Sequence, residues 1–375
     1  MIFDVIIISL AVIYSLLIIW LIIGWHRLSY FESYNNQPNT KFSIIVPARN
    51  EEDTIRDCLD AILGQHYPKK LFEVVVVDDH STDGTAGKVS DFIKNKFAGN
   101  ISIISLSVIE GSGFGKKAAL TAGIEASKND VIITTDADCK MGSGWLRTID
   151  SFFCRHKPSM LVMPVYIEQG RTFFHKLQTL EFISIAGVTG ASAGWGHHIM
   201  CNGANLAFVK DAFEKIGGYS GNLNYASGDD VFLLQKMKKA FPKEICFLKS
   251  RDVTVKTNPL PDVVSFFNQR VRWFSKNKAF KDTATIITGT IVGVFNLLLA
   301  LSPLCLFLAG CIWWFMAWVI KIVIDLPLLT AAASFFRKQK LLWLYLPAAL
   351  LYPFYVFVTF ILGLRGRFLW KGRKY

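Results

Sequence analysis

Paired cysteines, acidic charge and phosphate-loop motifs are all scarce in this chain. Its seven cysteines show neither C-x-x-C spacing nor a metal-type cluster, which argues against a disulfide framework and against a zinc fold. Cys139, Cys201 and Cys246 read instead as small apolar residues in a reducing compartment. No internal repeat and no low-complexity stretch is present. No Walker A loop and no dinucleotide fingerprint occurs either. The one glycine-rich basic loop, Gly111-Ser112-Gly113-Phe114-Gly115-Lys116-Lys117, suits an anionic ligand without matching those patterns. Acidic residues number 29 against 41 Lys and Arg, a formal charge of +12. A basic balance of that size can signal nucleic acid. Here, however, many Lys and Arg residues flank apolar segments, and attraction to an anionic leaflet explains the placement better. No nucleic-acid partner is expected.

What is abundant is apolar surface. Of the 375 residues, 52% are hydrophobic, and the mean hydropathy is +0.35. The excess is concentrated at the two ends. Residues 2–25 form an apolar run whose only charge is Asp4, long enough for one membrane helix. A signal peptide is disfavoured because no basic residue precedes the run and no small-residue cleavage site follows it. His26 and Arg27 flank its C-terminal end, so the positive-inside rule places Met1 outside and the following domain in the cytoplasm. Residues 284–363 are apolar again, interrupted by Ser302-Pro303, by Lys321 and Asp325, and by Arg337-Lys338-Gln339-Lys340. Three hydrophobic segments are expected there. Three full spans would put the basic tail outside, against the charge rule; one re-entrant or interfacial segment would return it to the cytoplasm.

Between these ends the pattern is that of an α/β domain. Residues 42–46 are a short β-branched run ended by Pro47. Asn50 then reads as a helix N-cap, followed by Glu51, Glu52 and Asp53 at the positive end of the helix dipole. Residues 72–77 contain four consecutive valines, the unbroken run of a strand buried on both faces. That run ends in Asp78-Asp79-His80-Ser81-Thr82-Asp83-Gly84-Thr85, a turn before a second helix. Residues 101–106 read as a third strand, 116–127 as a helix and 131–135 as a fourth strand closing on Asp136. Alternating strands and helices imply right-handed crossovers and a largely parallel sheet. Ligands of such sheets bind beyond the C-terminal strand ends, where Pro47, Asp79 and Asp136 fall.

Two carboxylates one residue apart at a strand end repel each other until a divalent cation removes the penalty and recruits phosphate oxygens. Asp136-Ala137-Asp138 suits Mg²⁺ or Mn²⁺ on those grounds; two solvated loop carboxylates are the plainer alternative. Asp229-Asp230 follows Ser227-Gly228 and precedes Val-Phe-Leu-Leu, so it starts a helix. Helix capping suits Asp229, and the functional alternative makes one of the two carboxylates a general base. Gln269-Arg270-Val271-Arg272-Trp273 lies in an amphipathic segment in which Val263, Phe267, Val271 and Phe274 recur at helical spacing. A membrane-surface helix with snorkelling basic residues accounts for most of it, but does not call for Gln269. Phe173, Phe174, Leu177 and Leu180 outline a second interfacial helix.

From about residue 41 to 276 these motifs resemble the membrane-bound family 2 glycosyltransferases. The run Ser43-Ile-Ile-Val-Pro-Ala-Arg-Asn-Glu-Glu52 is similar to the family's first strand and nucleotide loop, and Val74 to Thr85 to its second. The resemblance implies a GT-A fold: a Rossmann-like, mostly parallel α/β catalytic domain flanked by transmembrane helices. It also implies a nucleotide-sugar donor, a UDP- or GDP-sugar, bound at Pro47, Arg49, Glu51, Asp79, Lys116 and Asp136. Asp138 and Asp136 would hold Mg²⁺ or Mn²⁺. Asp230 would be the base with Asp229 beside it. Asn202, Gly203, Gln269, Arg272 and Trp273 would face the acceptor and close the site; Gly217-Gly218-Tyr219 resembles a further acceptor segment. Four departures stand out. His80 replaces the usual glycine, Asp229 the usual glutamate and Thr121 a common asparagine. Phe274-Ser275 follows Trp273, where polymer synthases continue with a small residue and glycine.

The expected organisation is a transmembrane anchor over 1–27, a GT-A domain over 41–261, an interfacial helix over 262–283, transmembrane or interfacial helices over 284–363 and a basic tail over 364–375. The expected function is inverting transfer of one hexosyl or N-acetylhexosaminyl unit to a lipid or lipid-linked glycan. It would take place at the cytoplasmic face of the inner membrane. A processive polysaccharide synthase is the alternative enzyme. A non-catalytic membrane scaffold is the third reading, against which the retention of Asp79, Asp138, Asp230 and Trp273 argues.

Overall fold

The structure is a computed structural model and describes residues 2–34, 37–96, 98–108, 115–220, 228–276, 280–305, 312–364, 369–370 and 373–374. In chain order the described elements begin with α1 (Ile2–Arg27), β1 (Phe42–Ala48), α2 (Ile55–Leu63), β2 (Phe72–Asp78), α3 (Thr85–Lys96) and β3 (Ile101–Ser105). Next come α4 (Lys116–Ala126), β4 (Val131–Thr134), β5 (Lys140–Met141), α5 (Trp145–His156), β6 (Met160–Val162), β7 (Val165–Ile167) and α6 (Phe173–Ala193). The chain continues through β8 (Leu206–Val209), α7 (Lys210–Lys215), α8 (Asp229–Ala240), β9 (Ile245–Phe247) and β10 (Val255–Thr257). It closes with α9 (Val263–Ser275), α10 (Thr283–Cys305), α11 (Ile312–Phe335) and α12 (Tyr345–Leu364).

Two compact units result. One comprises residues 29–168 and 200–258; the other comprises 1–28, 169–199 and 259–375.

The first unit is built on a seven-stranded sheet in the order β3-β2-β1-β4-β8-β6-β9. Strands β3, β2, β1 and β4 run parallel, β8 is antiparallel to β4 and to β6, and β9 is parallel to β6. The valine run behaves as expected: Val74 to Val77 are at most 1% exposed, because the central strands are covered on both faces. Pro47 pairs with Val77 in register, whereas the β4 pairing stops at Ile45, so the missing proline N–H falls where no β4 partner stands. Helix α4 lies so close to the sheet that a Cβ on Gly123 would sit 2.6 Å from the Ile45 side chain. A second sheet, β5-β10-β7, brings residue 257 beside the end of β4.

The sequence misplaces one helix start. Asn50 is not an N-cap: it stands at φ 51, and its Oδ1 accepts from the Thr82 N–H at 2.9 Å. Helix α2 begins only at Ile55, after Thr54. The acidic run over Glu51 to Asp53 belongs to a turn that stitches the β1 and β2 loops together.

The second unit is helical. Four of its helices, Asp4–Arg27, Thr283–Leu304, Ile312–Phe335 and Gln339–Leu364, are long and apolar enough to cross a membrane. Helix α6 packs on α1 and α11. At one crossing a Cβ on Gly24 would come within 2.1 Å of the Ala191 carbonyl, a backbone approach that only glycine permits. Trp20 and Trp195 stack at 5.8 Å, and the Arg27 guanidinium lies 4.3 Å from the Trp195 ring. The two charges in the third candidate span are not loose. Lys321 pairs with Asp325 at 2.5 Å, and the Tyr14 hydroxyl of α1 donates to Asp325 at 2.7 Å.

Candidate active site

The C-terminal ends of β1, β2 and β4 supply the first carboxylates. The Asp79 N–H donates to the Ala48 carbonyl at 2.8 Å, which ties the end of β2 to that of β1. Arg49 Nη1 donates to the carbonyls of Asp79 and His80 at 2.7 and 2.8 Å, so Arg49 braces the second loop from below. The Asp79 side chain is 2% exposed, and its Oδ1 accepts from the Gly115 N–H at 3.2 Å. His80 stands at φ 55, in the left-handed region; that conformation is the physical reason a glycine suits this place. Asp83 caps the turn into α3 through the Thr85 N–H at 3.0 Å. Burial works against its ionised form, yet hydrogen bonds from Thr85 and Glu52 prevail and hold its carboxyl below the usual range. Glu51 Oε2 accepts from the Thr54 hydroxyl at 2.8 Å.

Beyond β4 the two aspartates of the D-x-D face different partners. Asp136 pairs with Lys116 at the start of α4. Asp138 Oδ2 accepts from the Thr257 hydroxyl at 2.8 Å. Two buried thiols register the charge there: burial first, then Asp138 and Asp136, push Cys58 and Cys139 far above the ordinary thiol range. The donors that face this corner from the D-x-D are carboxylate oxygens. Among the described residues no set of three His, Cys, Asp or Glu side chains could hold a metal alone. Two carboxylates of this kind fit Mg²⁺ or Mn²⁺ when diphosphate oxygens and water complete the shell.

A third group meets this corner from α8. Asp230 Oδ2 accepts from the Gly203 N–H at 3.1 Å and Oδ1 from the Val231 N–H at 2.8 Å. A Cβ on Gly203 would lie 3.5 Å from Asp230 Cβ and 3.7 Å from Lys116 Nζ, so base candidate, glycine and lysine converge. Burial would strip the Lys116 proton, but Asp136 outweighs it, with Asp229 and Asp230 adding, and its ammonium is held above the usual lysine range. Asn202 Oδ1 accepts from the Ala204 N–H at 3.0 Å and shapes the turn that presents Gly203. Asn205 is wholly buried. Its Nδ2 donates to the Pro164 and Val253 carbonyls at 2.9 and 2.7 Å, and its Oδ1 accepts from Trp145 Nε1 at 3.1 Å.

Asp229 corrects an expectation. Helix α8 starts after Gly228 at φ 90 with no side-chain cap, and Asp229 instead faces Lys117 at 3.5 Å. Thr257 was not found from sequence, and Lys117 was read there only as part of the basic glycine-rich loop, not as the partner of Asp229. Thr257 lies 119 positions from Asp138, and nothing in its own surroundings marks it. Residues 111–114 and 221–227, which include most of the glycine-rich loop and Ser227, lie outside the described residues.

Gln269, Arg272 and Trp273 belong to the helical unit, on α9. Its start is capped by Asp262, which accepts from the Ser265 N–H at 2.8 Å. The Arg270 beside them does not snorkel: it is 3% exposed and lies 4.3 Å from both the Phe266 and the Trp273 rings. Its guanidinium grips Glu181 with two hydrogen bonds, and Tyr355 donates to the same carboxylate at 3.0 Å. Burial opposes the Arg270 charge, but Glu181 more than restores it. Trp273 meets Phe182 of α6 at 6.0 Å.

A mostly parallel sheet with acids gathered beyond its C-terminal strand ends is the arrangement in which α/β enzymes bind their ligands. The family model for glycosyl transferase family 2 matches residues 43–217, and that for glycosyl transferase family group 2 matches 131–361. The chain belongs to the family 2 glycosyltransferases. It is 30% identical over 186 residues to the probable glycosyltransferase YdaM of Bacillus subtilis, covering 48% of this chain and 43% of that one. It is 25% identical over 237 residues to the poly-beta-1,6-N-acetyl-D-glucosamine synthase of Staphylococcus epidermidis, covering 62% and 53%. The chain thus spans about half the length of these curated relatives. Its fold is that of the mannosyltransferase PcManGT of Pyrobaculum calidifontis, solved with GDP-Man and Mn²⁺. The TM-score is 0.61 at 19% identity, over 94% of this chain and 99% of that one. The fold is GT-A.

Proposed function

We propose that this enzyme moves one sugar at a time from a UDP- or GDP-sugar to a lipid or lipid-linked glycan at the cytoplasmic face of the inner membrane, with inversion. The observation that carries the reading is Asp230, aimed by the Gly203 N–H and set beside Lys116 at the strand end that bears the D-x-D. Pro47, Arg49, Glu51 and Asp79 form the nucleotide end, with Asp79 toward the base. Lys116 stands near the nucleotide, and Asp136 is assigned to the ribose or the metal. Asp138, with Asp136, would hold Mg²⁺ or Mn²⁺, which when bound neutralises charge on the departing diphosphate. Asp230 takes the proton of the acceptor hydroxyl as its oxygen bonds to the anomeric carbon. The carbon–oxygen bond to the diphosphate breaks in the same displacement, and the nucleoside diphosphate leaves. Asn202, Gly203 and the α9 residues Gln269, Arg272 and Trp273 are assigned to the acceptor and to closure.

Four apolar helices and the aromatic α9 suit an acceptor that stays in the bilayer. The likeness to a polysaccharide synthase favours polymer growth as the second reading. One assay separates them: purified protein with a panel of sugar nucleotides and a membrane lipid extract, followed by mass spectrometry. A lipid heavier by a single hexose-sized increment supports single transfer; a ladder of long water-soluble chains refutes it.

A further inference from the structure

Helix α4 enters the site with two consecutive lysines, and each answers a different acid. Lys116 pairs with Asp136. Lys117 turns toward α8, where its Nζ lies 3.5 Å from Asp229 Oδ1. Both members of this second pair are buried, at 7% exposure each. The Lys117 ammonium also stands 5.5 Å from the Phe232 ring, one turn further along α8. A buried ion pair is a poor source of stability, because desolvation offsets most of the attraction; what it supplies is a fixed geometry. Fixed geometry is what this helix end needs. Helix α8 begins after a left-handed glycine that has no side chain to cap it, so contacts from neighbouring elements help to fix its first turn. The residue after Asp229 is Asp230.

We infer that Lys117 is a positioning residue for the general base: by holding Asp229 it fixes the first turn of α8 and so aims Asp230, without touching donor or acceptor. The inference rests on the transfer reading above. It also gives the shorter carboxylate at position 229 a physical setting, since the lysine comes to meet it. Lys116 and Lys117 then divide the labour along one helix end, the first facing Asp136 of the D-x-D and the second facing the helix that carries the base.

The test uses the full chain in detergent with four variants: Lys117→Met, Lys117→Arg, Asp229→Asn, and Lys117→Met with Asp229→Asn. Nucleoside-diphosphate release is measured with the active sugar nucleotide and lipid extract, together with donor KM and thermal melting. Lys117→Met lowers kcat about tenfold or more while donor KM stays within about twofold. Lys117→Arg recovers most of kcat, and the double variant is no slower than the worse single one, because the two residues act as a unit. Wild-type kcat in Lys117→Met, a loss confined to KM, or additive losses in the double variant overturn the inference. If Lys117→Met fails to fold, the other singles decide: an active Lys117→Arg beside an Asp229→Asn of low kcat and normal KM supports it, and any other pair of results overturns it. A wild-type protein that transfers sugar from no donor removes the transfer reading, and this inference with it.

Discussion

Asp138 and Asp136 divide the end of β4 between a hydroxyl and an ammonium, and that division predicts how each fails. Asp138 accepts from the neutral Thr257, and a carboxylate at this strand end suits a divalent cation. Asp138→Asn keeps the size and the Thr257 hydrogen bond but removes the charge. Turnover is expected to fall at least about a hundredfold, a transition-state loss of about 3 kcal/mol. Full activity in the variant, or in EDTA, would show that no metal acts through Asp138. The two aspartates of α8 separate in the same way. Asp230→Asn leaves nucleoside-diphosphate affinity near wild type and lowers transfer by about 10² to 10⁴-fold, the usual range for a lost base. Asp229→Asn costs less, since Asp229 faces Lys117 and acts through its neighbour. Equal losses at the two positions, measured as product formed per enzyme at saturating donor, would overturn that division.

At the scale of elements, the candidate membrane helices carry one test of their own. Tyr14 of α1 and Lys321 of α11 both bind Asp325, so one carboxylate joins two candidate spans. Breaking a buried pair strands a charge and costs about 3–5 kcal/mol, whereas removing both partners is far milder. Lys321→Met alone should therefore lower the melting temperature in detergent, and Lys321→Met with Asp325→Leu should recover more than half of the loss. A double variant as unstable as the single would show that Asp325 serves Tyr14 alone. In the sequence these two charges were visible only as interruptions of an apolar run; their four-residue spacing becomes a pair once the segment is a helix. The same contrast holds across the fold. The strands of residues 72–77 and 101–106 were legible within a residue: the first is an unbroken run of buried valines, and the second, though an edge strand of mixed exposure, is rich in isoleucine between turn residues. The β8, β6 and β9 additions were not, since three- and four-residue strands carry too little pattern to declare a partner or a direction. In the site, Asp79, Asp136, Asp138 and Asp230 stand at marked strand and helix ends and could be found. Thr257, Lys117 and the role of Asn205 depend on chain segments brought together only by folding. The start of α2 was misread because Asn50, a good cap by type, takes a left-handed turn to reach Thr82.

At the scale of the whole molecule the charge pattern, rather than the fold, sets the expected orientation. The GT-A architecture accounts for a catalytic sheet and says nothing about the side of the membrane on which it lies. His26 and Arg27 close the first apolar helix, and positive charge beside a span is retained on the cytoplasmic side. Four helices of 22 to 26 residues each match the thickness of a hydrocarbon core, which a peripheral enzyme would not need. Two outcomes follow in membranes prepared from an expressing cell. Alkaline carbonate should leave the protein in the pellet, because apolar helices held by lipid are insensitive to the loss of electrostatic attraction. Proteinase added to inverted inner-membrane vesicles should cleave the sheet unit of residues 29–168 and 200–258, while intact spheroplasts should protect it. Release by carbonate would reduce the helices to surface contacts. Cleavage in spheroplasts with protection in inverted vesicles would reverse the orientation, and would place the sheet unit away from the cytoplasmic pool of sugar nucleotides on which the proposed reaction depends.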